Sequence, residues 1–267
     1  MSGQEGTVSP QQVPCPLTAE RAGEWIRRWE LQQQRYACDR ETRFTVIADV
    51  VEAAVAGVPR PLVADLGCGP GSLAARLAGR LPQAEVVGVD TDPVLLALGR
   101  AYHGGRVRFA DVRVGEPGWT ERLEPDRPLD AVVSATALHY LPEPVLLSVY
   151  ERVREALRPG GVLVNGDHLF QEHPVIAALA GAVGRRHAER NEEDAHEDWR
   201  GWWEAAAAAP ELADPFAERA RRGPEPGGDN GLTLRRHERL LHAAGFEAVG
   251  PVWQYGPSCV LVAVRGD

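Results

Sequence analysis

The segment Val63-Ala64-Asp65-Leu66-Gly67-Cys68-Gly69-Pro70-Gly71 runs from an apolar stretch into a glycine-rich turn. Glycines let the backbone turn sharply and approach a ligand closely. The dinucleotide fingerprint fails here because Ser72 stands at its third glycine position, and no Lys-Ser/Thr pair follows to make a phosphate-binding loop. Gly67, Gly69 and Gly71 give GxGxG instead, with Cys68 between the first two. Asp65, just before the glycines, would repel a pyrophosphate and suits a ligand that carries an ammonium and a sulfonium. A second acid, Asp90, closes Val87-Gly88-Val89 and is followed by Thr91. A carboxylate at that place can accept hydrogen bonds from both hydroxyls of a ribose. A third, Asp111, follows Phe109-Ala110. It can bond an adenine amino group, while Val112 offers a backbone amide and an apolar wall.

Two histidines stand where a reacting group would lie. His139, with Tyr140, follows the apolar run that ends at Ser134 and Ala135, and His168 follows Asp167 after the next run. Either can act as a base for a nucleophile that must lose a proton, or shape a pocket through packing and hydrogen bonds. His187 and His196 stand among Glu189, Glu192, Glu193 and Asp194, in a spacing that matches no metal pattern. Cys15, Cys38, Cys68 and Cys259 are far apart and form no CxxC pair, so neither a metal site nor a disulfide framework is expected. Trp199, Trp202 and Trp203 either line an aromatic pocket or pack a cap.

The elements that must position these groups follow a strand–helix rhythm. Apolar strands are expected over 62–66, 85–89, 106–110, 129–134 and 161–165. Helices are expected between them over 71–80, 93–102 and 144–157. Continuous apolar strands alternating with helices imply a parallel sheet covered on both faces. Ligands bind outside the carboxyl ends of such strands, which is where the three acids fall. Before the sheet, Thr18 can cap a helix over 18–34, and a second helix is expected over 40–56. After it, residues 170–231 break the rhythm with a helical, partly alanine-rich insertion. A helix over 233–244 then resumes it. Strands over 246–254 and 258–264 are linked by Gly256-Pro257, a turn short enough for an antiparallel hairpin.

These motifs resemble the class I S-adenosyl-L-methionine (SAM)-dependent methyltransferases of the small-molecule type. The matching residues are Asp65 to Gly71, Val89-Asp90, Ala110-Asp111-Val112, Ser134 to Leu141 and Leu157-Arg158-Pro159-Gly160-Gly161, and they span roughly 62–166. The resemblance implies an α/β Rossmann-like sheet of seven strands, mostly parallel, with helices on both faces and an antiparallel last strand. It implies SAM as cofactor and S-adenosyl-L-homocysteine as product. Cofactor contacts are implied at Gly67, Asp90 and Asp111 and near Ser134 and Ala135. Topology adds Tyr36 and Arg43, from the N-terminal helices, as groups that close over the carboxylate end of the cofactor. The chain divides into an arm over 1–16, a helical cap over 17–57, a cofactor-binding core over 58–169, an insertion or lid over 170–231 and the rest of the core over 232–267.

The expected function is methylation of a small molecule, in a natural-product pathway, with O, N and C all open as the acceptor atom. The alternative is a SAM-binding protein of the same fold that transfers no methyl group, either a cyclase or a regulatory partner. A nicotinamide-dependent oxidoreductase is disfavoured by Ser72 and Asp65. A formal charge of −9 disfavours a protein that grips nucleic acid through its phosphates. No Asn/Asp-Pro-Pro-Tyr/Phe motif follows the fourth strand, which further disfavours methylation of base amino groups. Residues 1–12 show no signal-peptide pattern and no run is long enough to span a membrane, so a cytoplasmic location is expected.

Overall fold

A computed structural model of the chain describes residues 16–191, 197–223 and 228–267. The arm expected over 1–16 lies, but for its last residue, outside them, as do His196, Glu192, Glu193 and Asp194. Seven strands form one sheet in the order β3-β2-β1-β4-β5-β7-β6. They are β1 (Leu62–Leu66), β2 (Glu85–Asp90), β3 (Arg108–Asp111), β4 (Leu129–Ala135), β5 (Leu157–His168), β6 (Ala248–Tyr255) and β7 (Ser258–Val264). Strands β1 to β5 pair in parallel, and β7 runs antiparallel to both of its neighbours, as expected. The order reverses beside β1, which places a crevice between the carboxyl ends of β1 and β4.

Strand β1 shows why the sheet forms. All five of its residues are buried. Leu62, Ala64 and Leu66 pack on one side with α5 (Glu143–Ala156) and α9 (Leu234–Ala243), whereas Val63 packs on the other with α2 (Arg40–Ala54) and α3 (Ser72–Arg80). Alternate side chains of a strand face opposite layers, and each fully buried Val or Leu contributes about 1.5–3 kcal/mol. Helix starts follow the capping chemistry. Thr18 accepts from the backbone N–H of Arg21 at the head of α1 (Ala19–Gln34). Asp92 accepts from Val94 and Leu95 at the head of α4 (Pro93–His103), where Pro93 gives up no needed donor.

Two elements differ from the sequence pattern. Strand β5 is much longer than 161–165. Its register against β4 slips between Leu129 and Ala131, and that irregularity absorbs Arg158 to Gly161. Arg158 fixes it through Asp130, whose carboxylate also accepts from the N–H of Leu62. At the far end, pairing of Asp167 with Cys259 and His168 with Ser258 carries β5 two residues past Gly166. Strand β3 begins at Arg108 because the N–H groups of Arg106 and Val107 both return to the His103 carbonyl and finish the α4 turn.

The insertion is helical, with α6 (Pro174–Arg190), α7 (Trp199–Ala207) and α8 (Ala213–Arg222). Helix α7 packs on α1 and α4 in a third apolar cluster of Trp25, Ile26, Val94, Leu95, Leu98, Trp202, Ala206 and Leu212. Trp202 is wholly buried between Trp25 and Trp29, so the tryptophans pack the cap against the N-terminal helix. No described helix is long and apolar enough to cross a membrane.

Candidate functional site

The glycine turn is built for close approach. Gly67 has a φ of 69°, and a β-carbon there would lie 2.3 Å from that of Ala137. Any side chain would push apart the ends of β1 and β4. A cavity opens above the turn, lined by Asp65, Gly67, Cys68, Gly69, Ser72, Leu73, Ala135 and Thr136, and by Trp29, Gln33, Arg40 and Phe44 of the N-terminal helices. The crevice expected from topology is therefore roofed by α1 and α2.

Each acid has a distinct setting. Asp65 is buried at the cavity and accepts from the backbone N–H of Ala74 in the first turn of α3. Burial pushes its carboxyl up to about 7, with the nearby charge of Asp90 adding to the shift and the Ala74 bond opposing it. Asp90 accepts from the N–H groups of Gly69, Thr91 and Asp92, so it braces the glycine turn against the next strand. Burial raises its carboxyl too. Asp111 is exposed, and its two oxygens take a two-pronged ion pair from Arg222 of α8 at 2.8 and 2.7 Å. Arg222 also donates to the Thr91 carbonyl, and Arg219 bonds Asp92. Val112 is buried and its N–H returns to the Asp90 carbonyl. Ser134 is buried and bonds the Leu66 carbonyl, tying β4 to β1, while Cys68 is buried with its thiol pushed well up by desolvation.

The two histidines meet. His139 lies in a short turn after β4, and Asp167 and His168 end the neighbouring strand β5. His139 Nδ1 stands 2.9 and 3.1 Å from the two oxygens of Asp167. His168 Nδ1 is 3.3 Å from one of them, and its Nε2 is 2.5 Å from Asp229. Burial works against the charge on Asp167, yet the His139 bond and the neighbouring His139, His168 and Arg43 hold its pKa below the ordinary value. Both nitrogens of His168 thus face carboxylates. His139 keeps Nε2 without a hydrogen bond to any described residue, so a neutral His139 with its proton on Nδ1 presents a lone pair there.

Tyr36 and Arg43 do not line the cavity. The Tyr36 hydroxyl accepts from the Trp199 N–H and so caps α7. Arg43 is buried at the foot of α2, where it donates to the hydroxyls of Thr136 and Ser258, and burial lowers its guanidinium to about 10. Thr136 holds a φ of 56°, a strained conformation for a β-branched residue and one that marks functional turns. In place of Tyr36, Arg40 reaches the cavity, paired with Glu30. Helical spacing puts Arg40 on the same face as Arg43 and Phe44, a signal within reach of sequence reading. Asp229 and Arg222 left no comparable signal, since each meets its partner across 61 and 111 residues.

An open α/β sheet with a crevice at the reversal of its strand order defines the fold class of the molecule. Residues 63–161 match a family described as a methyltransferase domain. The trans-aconitate 2-methyltransferase of Streptomyces coelicolor is 34% identical over 169 residues, covering 60% of this chain and 51% of that protein. The enzyme of that name from Deinococcus radiodurans is 37% identical over 134 residues, covering 49% and 48%. The chain thus spans about half the length of the curated relatives it matches. Human N-acetylserotonin methyltransferase in complex with SAM shares the fold with a TM-score of 0.54 at 16% identity, over 92% of this chain and 57% of that one. An O-methyltransferase family protein from Burkholderia thailandensis does so at 0.53 and 18%, over 93% and 73%. Residues 63–161 thus resemble a methyltransferase domain, and the fold is the one seen in a methyltransferase that binds S-adenosyl-L-methionine.

Proposed function

We propose that the protein transfers the methyl group of SAM to a small-molecule acceptor whose nucleophile carries a proton. The observation that carries this reading is the cluster of His139, Asp167 and His168 at the ends of β4 and β5, beside a cavity lined by Asp65, Gly67 and Gly69. In the transfer, a bond forms from the nucleophile to the methyl carbon and the bond from that carbon to sulfur breaks. The leaving group needs no proton, so the protein's work is alignment, exclusion of water and removal of the acceptor's proton. His139 takes that proton on Nε2, and Asp167 holds its ring and stabilises the imidazolium. His168 orients the acceptor, itself held by Asp229. Gly67, Cys68, Gly69 and Gly71 shape the floor under the methionyl part of SAM. Asp90 and Thr91 meet the ribose, and Asp111 and Val112 the adenine, once Arg222 has released Asp111. Ser134 and Ala135 border the sulfonium, while Arg43 and Arg40 supply positive charge toward carboxylates.

Trans-aconitate is a further acceptor to test, because the relatives bear its name and two buried arginines stand near the cavity; its carboxylates carry no proton at neutral pH, so its methylation would not need His139 as a base. The roof made by α1 and α2, backed by the insertion, also supports a larger, enclosed acceptor such as a natural product. Calorimetric titration with SAM, S-adenosylhomocysteine and NAD is the primary test. Binding of the first two without NAD is expected, and binding of NAD alone refutes the reading. With an acceptor in hand, His139→Ala should lower kcat by about 100- to 10,000-fold while SAM affinity stays within a few-fold. Equal loss of both would remove His139 from the proton transfer.

A further inference from the structure

We propose that His139, Asp167 and His168 form a binding site for one divalent transition-metal ion, best matched to Zn²⁺, and that the ion inhibits methyl transfer. One ligand atom from each residue lies within 4.8 Å of the others. The shared oxygen Asp167 Oδ1 is 2.9 Å from His139 Nδ1 and 3.3 Å from His168 Nδ1. An ion with bonds of about 2.0–2.2 Å keeps neighbouring ligands roughly 3.0–3.5 Å apart, so two edges of the site are already close to the required length. Two imidazoles and one carboxylate select zinc and its neighbours over magnesium or calcium, which prefer oxygen alone.

The surroundings fit as well as the ligands. A metal-bound imidazole usually gives its other N–H to a carboxylate, which fixes the tautomer and the ring. His168 does this through Nε2, 2.5 Å from Asp229 Oδ2, which leaves the Nδ1 lone pair directed at Asp167. Asp229 is itself held, since its Oδ1 accepts from the Gly231 N–H at 2.7 Å, and the next residue, Asn230, donates its N–H to the His139 carbonyl at 2.8 Å. Asp167 and Asp229 together match the two charges of the ion. Three ligands leave coordination positions for solvent, which reaches the cluster at His168, 28% exposed.

Binding at Nδ1 would shift the one N–H proton of neutral His139 from Nδ1 to Nε2. Nε2 would then carry that hydrogen and have no lone pair for the acceptor's proton. Inhibition therefore rests on the role given to His139 above, whereas binding does not. Chelator-treated full-length protein should bind one equivalent of ZnCl₂ in calorimetric titration. Asp229→Asn should weaken binding about 10- to 100-fold. His139→Ala and His168→Ala, shown to be folded by circular dichroism, should lose the step. No saturable step, or an unchanged step in both histidine variants, overturns the site. With SAM and an accepted substrate, zinc should lower turnover in proportion to occupancy. A rise in turnover would overturn the inhibition and the base role of His139 while leaving the bound ion in place.

Discussion

Asp65 sits in an environment unlike that of a surface carboxylate. Its carboxyl, pushed up to about 7 by burial, is largely protonated in acid and charged in mild alkali. The charged form attracts the ammonium and sulfonium of SAM, so binding from the protonated form must release a proton. Affinity should therefore rise as pH increases toward 7 and level off above it, by up to about tenfold per unit below the pKa. Titrations with SAM between pH 6 and 8 would show this slope, and Asp65→Asn, which keeps an acceptor for the Ala74 N–H, should flatten it. A slope that survives in Asp65→Asn would assign the proton to another group. The same residue shows what was legible at this scale. The GxGxG turn and its preceding acid stood in plain sequence because one short segment contains them all. Asp167 stood there beside His168, but its bond to His139 depends on two strands being neighbours, and adjacency in a sheet leaves no mark on spacing.

Elements repeat that division. Every strand and helix of the sheet domain stands within a few residues of its expected place, because buried parallel strands are continuous apolar runs and their helices carry caps such as Thr18 and Asp92. The exception, β5, is lengthened at both ends by its partners β4 and β7, and a strand's own composition does not report its neighbours. Helix α8 carries the least legible feature. Its Arg222 holds Asp111, the acid expected at the adenine, and its Arg219 holds Asp92 at the head of α4. On the proposed reading, cofactor binding exchanges the first of these pairs for an adenine contact. Both side chains of that pair are about one-third exposed, at 31% and 34%, so the pair is worth at most about 1 kcal/mol. Arg222→Ala should therefore raise SAM affinity about two- to fivefold, measured at low salt, and the wild-type protein should approach the variant as salt screens the pair. A weaker affinity in the variant would mean that Arg222 covers the bound adenine instead of displacing it.

The molecule as a whole is a sheet domain whose crevice is roofed by N-terminal helices, and those helices lean on an insertion far away in sequence. The N-terminal helix α1 and the insertion helix α7 meet through Trp25, Trp29, Trp202 and Trp203. Trp202→Ala should cost about 3–5 kcal/mol of stability by opening a cavity in that contact, seen as a lower midpoint in urea. It should also weaken SAM binding, since Trp29 lines the cavity and leans on Trp202. A variant with full stability would place the roof outside the cooperative unit. The Trp202 indole bonds the Trp25 carbonyl across 177 residues of chain. During synthesis the apolar face of α1 leaves the ribosome long before α7 exists to cover it. At roughly 5–20 residues per second, that interval is about 9–35 s. For that time Trp25 and Trp29 are open to solvent, to chaperones and to the same face of other nascent chains, so the yield of folded protein should depend on how crowded the polysome is.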